Sequence, residues 1–172
     1  MADLRHTLTP VDKVPRTSAS WSQDETSAIS VKVQKVSESI PTVLLDQRIR
    51  EGIIDYFEWV GNYQLQRKYQ ADVPHVDVPI EAINQWENWV RVEGFDTYLE
   101  PVFSRQEQIA IREFHRIWDA VADEMPEGYS RLEDLIGTAL WERLRKAAEQ
   151  AHDIFILRGH FDRNVIQFAD QD

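Results

Sequence analysis

Residues 104–133 read SRQEQIAIREFHRIWDAVADEMPEGYSRLE, and this stretch decides the fold class. Ser104 and Glu107 make a capping-box pair, in which the serine hydroxyl accepts from the amide three residues on and the glutamate reaches back to the serine amide. Behind that pair Ala110, Phe114, Ile117, Trp118, Val121 and Met125 recur at helical spacing and line one face. Pro126 and Gly128 close the helix. Ser130 and Glu133 repeat the capping pattern and open a second long helix. On it Leu132, Ile136, Leu140, Leu144, Ala147, Ala151 and Phe155 are aligned, with Gly159 as the stop. The connection Pro126-Glu127-Gly128-Tyr129 is short enough to force an antiparallel helical hairpin.

Toward the N-terminus, Leu45, Ile49, Ile53, Tyr56, Phe57, Val60 and Tyr63 share one face at roughly 100° per residue, which predicts a helix over 42–69. Pro74 and Pro79 bracket a loop, and Pro79 suits the first turn of a helix that carries Ile80, Ile83, Trp86 and Val90 and ends at Gly94. A short element from Asp96 stops at Pro101. The expected fold is mainly α: an antiparallel helical bundle with three long helices and one or two short ones. Residues 1–40 read differently. Positions 1–27 are rich in Ser, Thr, Pro and charge without periodicity, as in an extended N-terminal arm. Ile29, Val31 and Val33 then alternate with Ser30, Lys32 and Gln34, the period of one short β-strand. Its candidate partners are the β-like stretch 164–168 or another chain. The organisation expected is therefore a polar arm with a short strand over 1–40 and an acidic bundle over 41–172.

At 172 residues, 42% hydrophobic and 28% charged, the chain fits one globular domain with a sizeable core. It has no cysteine, which excludes disulfides, thiolate zinc sites, iron–sulfur clusters and cysteine nucleophiles. The first residues lack the apolar core of a signal peptide, and no apolar run approaches the roughly 20 residues of a span, so a cytoplasmic location and no membrane partner are expected. The net charge of −11 is unevenly placed. Residues 1–40 balance, whereas 41–172 carry 25 acids against 14 bases. Such a surface repels phosphate backbones, which argues against nucleic acid as a partner, and attracts basic proteins.

No strong catalytic or metal motif is present, and no cofactor is expected. Glu149 and His152 match the i, i+3 pair of di-iron bundles, but the pair occurs once and Glu149 lies away from the apolar face. A solvated charge pair explains it better. Glu113 and His115 point about 200° apart on their helix and cannot share a ligand. His152, Asp153, His160 and Asp162 could gather near the C-terminus as a polar cluster. Among the six tryptophans Trp86 and Trp118 fall on apolar faces, while Trp59, Trp89 and Trp141 fall at helix edges, where indoles either pack against another layer or anchor interfaces.

These features favour a non-enzymatic protein–protein interaction module, of the inhibitor, immunity or antitoxin type, that covers a basic surface of another protein. Its expected interface is Trp86, Trp89, Glu93, Asp119, Asp123 and Glu124. A structural or assembly component of a large complex such as a phage particle is the alternative, with homo-oligomers formed through the N-terminal arm. An enzyme using His115, His152 or His160 beside carboxylates is the third reading.

Overall fold

The computed structural model describes residues 40–89, 94–125 and 131–168, all within one compact unit, Glu38–Asp172. Among these residues the chain is mainly α. The elements are α1 (Thr42–Val60), α2 (Tyr63–Asp72), α3 (Val78–Glu87), a single 3-10 turn (Phe95–Thr97), α4 (Arg105–Glu124), α5 (Leu132–Leu135) and α6 (Ala139–Ile156). None is long and apolar enough to cross a membrane. The N-terminal arm and the strand expected over 29–33 lie outside the described residues.

The three long helices have different bounds from those the periodicity suggests. The helix expected over 42–69 breaks at Gly61. A β-carbon there would sit 2.9 Å from the Phe57 carbonyl oxygen and 3.2 Å from the Glu149 amide nitrogen, so glycine is what lets the end of α1 lie against α6. Asn62 then caps α2, its side chain accepting from the amides of Gln64 and Leu65. The long helix expected from residue 130 is likewise two. Gly137 has φ +84°, a left-handed conformation that ends α5. Thr138 restarts the helix, its hydroxyl accepting from the Trp141 amide. Ser130 lies outside the described residues; Arg131 occupies the N-cap of α5 without a side-chain bond, and Glu133 binds Arg67 of α2. The capping box at Ser104 and Glu107 is present with both bonds made.

The core lies where α6 packs on α4 and on α1. α4 and α6 run antiparallel: Glu107 in the first turn of α4 meets Arg158 just beyond α6, and Glu124 at the other end meets Arg143. α3 closes one side. Its Trp86 ring lies 5.4 Å from Phe57 and 4.6 Å from Phe114, centroid to centroid. The Trp118 indole donates to the Ile83 carbonyl and holds α4 to α3. Trp141, placed at a helix edge, packs against another layer, its buried indole donating to the equally buried Gln66 of α2 at 3.0 Å. One sequence expectation fails here. Leu45, placed on the apolar face of α1, is exposed, because the first half of that helix buries Leu44, Gln47 and Arg50 instead.

The stretch 164–168 is not a strand. Gln47 substitutes for a strand partner. Its amide donates to the carbonyls of Asp162 and Val165, and its oxygen accepts from the Gln167 amide. One buried side chain thereby satisfies three backbone groups that a ladder would otherwise pair.

Candidate partner-binding surface

The densest chemistry in the molecule is inside it. Gln47, Arg50, Ile54 and Phe57 recur three and four residues apart on α1, so a glutamine and an arginine continue the stripe that its apolar residues begin. Arg50 is fully buried. Its Nε and Nη2 both reach Glu107 Oε1, at 3.1 and 2.6 Å, and its Nη1 reaches Glu51 Oε1 at 3.1 Å. The remaining two N–H groups donate to the carbonyls of Gly159 and Phe155, both at 2.9 Å. All five guanidinium donors are used. The second oxygen of Glu107 takes the Ser104 amide and Arg158, at 2.7 and 2.8 Å. The capping glutamate of α4 is thus also the counter-ion that ties α4 to α1 and to the chain beyond α6. Phe161 covers the cluster, its ring 3.9 Å from the Arg50 guanidinium carbon and 5.0 Å from that of Arg158.

Glu51 carries the histidine–carboxylate contact that acid–base chemistry would need. His160 Nδ1 lies 2.7 Å from Glu51 Oε2, and the other oxygen accepts from Arg50 and from the Phe161 amide. The His160 partner is therefore on α1, and His152 and Asp153 stay apart from it, 4.0 Å from one another on α6. The contact ties the chain after α6 to α1, and the His160 side chain is 56% exposed. Glu149 pairs with Arg145, as a solvated charge pair does, and His115 accepts the Trp86 indole N–H at Nδ1 (3.1 Å) while stacking on Trp118.

Beside the α1–α2 break, Glu142 accepts from the Arg145 guanidinium at 2.7 Å and from the Tyr63 hydroxyl at 2.7 Å. Those bonds, Arg145 first, hold its carboxyl down at about 2. Burial and then the bond to Glu142 push the Tyr63 phenol up to about 12. This arrangement fixes the start of α2 on α6.

One surface cleft, about 840 Å³, lies between α5 and the α2–α3 connection, lined by apolar Pro74, Val76 and Leu132 and crossed by the bidentate Arg67–Glu133 pair at 2.7 and 2.9 Å. Another, about 350 Å³, is aromatic, lined by Tyr56, Trp59, Tyr69 and Trp89 together with Arg48 and Arg163. Neither is lined by Glu51, Glu107 or His160.

The expected interface residues are distributed as follows. Trp86 is fully buried, so it has no surface to offer and belongs to the core. Glu93 lies outside the described residues. Trp89 is half-buried against Gly52 of α1 in the aromatic cleft, which no residue of α4 lines. Asp119, Asp123 and Glu124 are exposed together on the second half of α4. Glu124 chelates Arg143 through both oxygens at 2.9 Å, whereas Asp119 and Asp123 have no ion-pair partner among the described residues. Trp89 and the α4 acids are thus not one patch. The buried network of Arg50, Glu51, Glu107 and Arg158 escaped the sequence reading, although a signal exists: Gln47 and Arg50 sit at core register on α1. Comparison of the chain with protein-family models, with curated proteins and with solved structures finds no match to any of them.

Proposed function

We propose that residues 41–172 form a helical-bundle, non-enzymatic interaction module whose acidic α4 face, at Asp119 and Asp123, meets a basic surface of another cytosolic protein. One observation carries the reading: among the described residues most of the bases are paired within the chain, while more acids than bases are left over. Arg50, Arg67, Arg112, Arg143, Arg145, Arg158 and Arg163 each hold a carboxylate of the same chain. The leftover field is negative, and Asp119 and Asp123, one turn apart on an exposed helix face, have no ion-pair partner among the described residues. The buried carboxylates support the same reading. Their bonds go to groups of the same chain that hold α1, α4 and the segment after α6 together.

The test is affinity capture from native-host extract at low salt, with the wild-type chain and with Asp119→Lys/Asp123→Lys compared side by side. A stoichiometric basic protein held by the wild type, shed as salt rises and lost with the charge reversal is the expected result. No stoichiometric partner, or equal capture by the variant, refutes the acidic face as the binding surface.

A further inference from the structure

A second surface on α4 has a different character. Arg105, Ile109, Glu113, Arg116, Ala120 and Glu124 follow one another at helical steps of three or four and stay within a stripe about 100° wide. All are exposed except Ala120, which is half-buried. Read from either end the stripe is complementary to itself: cation, large apolar, anion, then cation, small apolar, anion.

We propose that this stripe pairs antiparallel with the same stripe of a second copy, about a two-fold axis passing between positions 114 and 115. In that register Arg105 faces Glu124 of the second copy, Ile109 faces Ala120, and Glu113 faces Arg116. The two-fold axis repeats each contact.

Three observations support the second copy as occupant. Ile109 is 52% exposed, an apolar knob at the head of a groove of about 350 Å³ that Ile117 and Ile154 also line. A small residue opposite it supplies the hole such a knob needs. Among the described residues Glu113 and Arg116 are ion-paired only to one another, at 3.3 Å and with both side chains more than 60% exposed, a weak pair free to exchange partners. Arg105 has no ion-pair partner among the described residues and would add a second cation to Glu124 beside Arg143. With Asp123 at its edge the stripe holds three acids and two bases, close to balance in a domain with 25 acids against 14 bases. A basic partner would meet Arg105 and Arg116, and an acidic one Glu113 and Glu124. The reversed copy matches every position. Asp119 lies about 90° round the helix from the centre of the stripe and stays open on pairing, whereas Asp123 lies in line with Arg105 at the stripe's edge and faces Gln106 of the second copy.

Sedimentation equilibrium of the full chain tests the pairing. Wild type is expected to dimerise at concentrations up to about 100 µM. Glu113→Arg and Arg116→Glu each set like charges opposite one another twice and should weaken the dimer by roughly tenfold or more. An equimolar mixture of the two variants restores both contacts and should recover a heterodimer. Both sites are exposed, so unchanged far-UV circular dichroism is expected for each variant. Because the chain has no cysteine, a disulfide can read the register. Ile109→Cys with Ala120→Cys should give a covalent dimer on mild oxidation. Within one helix the two positions are about 16 Å apart, too far to bridge. Ile109→Cys alone should not cross-link. A monomeric wild type, variants that do not complement, or cross-linking by Ile109→Cys alone as efficient as by the pair would each overturn the proposal.

Discussion

Replacing Arg50 by alanine is the sharpest test of how this fold is held. The substitution removes a guanidinium whose five donors serve Glu107, Glu51 and the carbonyls of Phe155 and Gly159, and leaves all four acceptors enclosed. Taking one partner from a buried ion pair costs about 3–5 kcal/mol, because the remaining charge loses its compensation. Two backbone acceptors left short add about 1 kcal/mol each. The sum is tempered by what survives: Glu107 keeps Arg158 and the Ser104 amide, and Glu51 keeps His160 and the Phe161 amide. We therefore expect Arg50→Ala to lose about 4 kcal/mol, or about 12 °C in Tm for a domain of this size. Urea denaturation followed by tryptophan fluorescence, with an unchanged slope, measures it. A double-mutant cycle with Glu107→Gln should return a favourable coupling above about 1 kcal/mol. A loss below about 1 kcal/mol, the worth of an exposed pair, would refute the assignment of Arg50 as the organising charge.

Two further outcomes follow from named contacts. The folded Glu142 carboxyl is held at about 2 against an ordinary 4.5. Its stability contribution is therefore complete above pH 4.5 and disappears as pH falls toward 2. In Glu142→Gln the difference from wild type in thermal melts should be largest near neutrality and close over that window; a constant offset would count against the ion pair as its source. Gly61→Ala brings a methyl to 2.9 Å from the Phe57 carbonyl and 3.2 Å from the Glu149 amide, so α1 and α6 must separate, at about 1–3 kcal/mol. The backbone at Gly61, φ −70° and ψ −10°, suits alanine, so an unchanged melting temperature would mean that the close approach is absent in solution.

Helical character, three long helices and the Ser104 cap were legible because each rests on local rules of period and capping that tertiary contacts did not override. The helix breaks were less so. Gly61 and Gly137 sit inside stretches whose apolar period runs on undisturbed, and what ends the helices is the nearness of α6 in one case and a left-handed residue in the other. The stretch 164–168 alternates like a strand, but its backbone partners turned out to be one glutamine side chain from residue 47, a pairing that periodicity cannot register. The buried network was hidden for a related reason. Arg50, Glu51, Glu107 and Arg158 look like ordinary surface charges in a chain rich in them, and only the burial of their helix faces marks them as core. Trp86 shows the converse, since its apolar register spoke for the core and its burial agrees.

How the charges are placed constrains what the molecule can do. An arginine used as an internal staple neutralises a carboxylate where no ligand reaches it, and each such pairing removes a positive charge from the exterior. With Arg50 and Arg158 committed to Glu107, the acids without bases are the ones that define the outer field. Reversing Asp119 and Asp123 alters the field with little effect on the core, because neither touches an internal staple. Removing Arg50 unfolds the body before it changes the surface. A role that depended on the buried carboxylates could not be separated from folding in this way, whereas a role on α4 can, and that separability makes the proposed α4 surface open to a direct test.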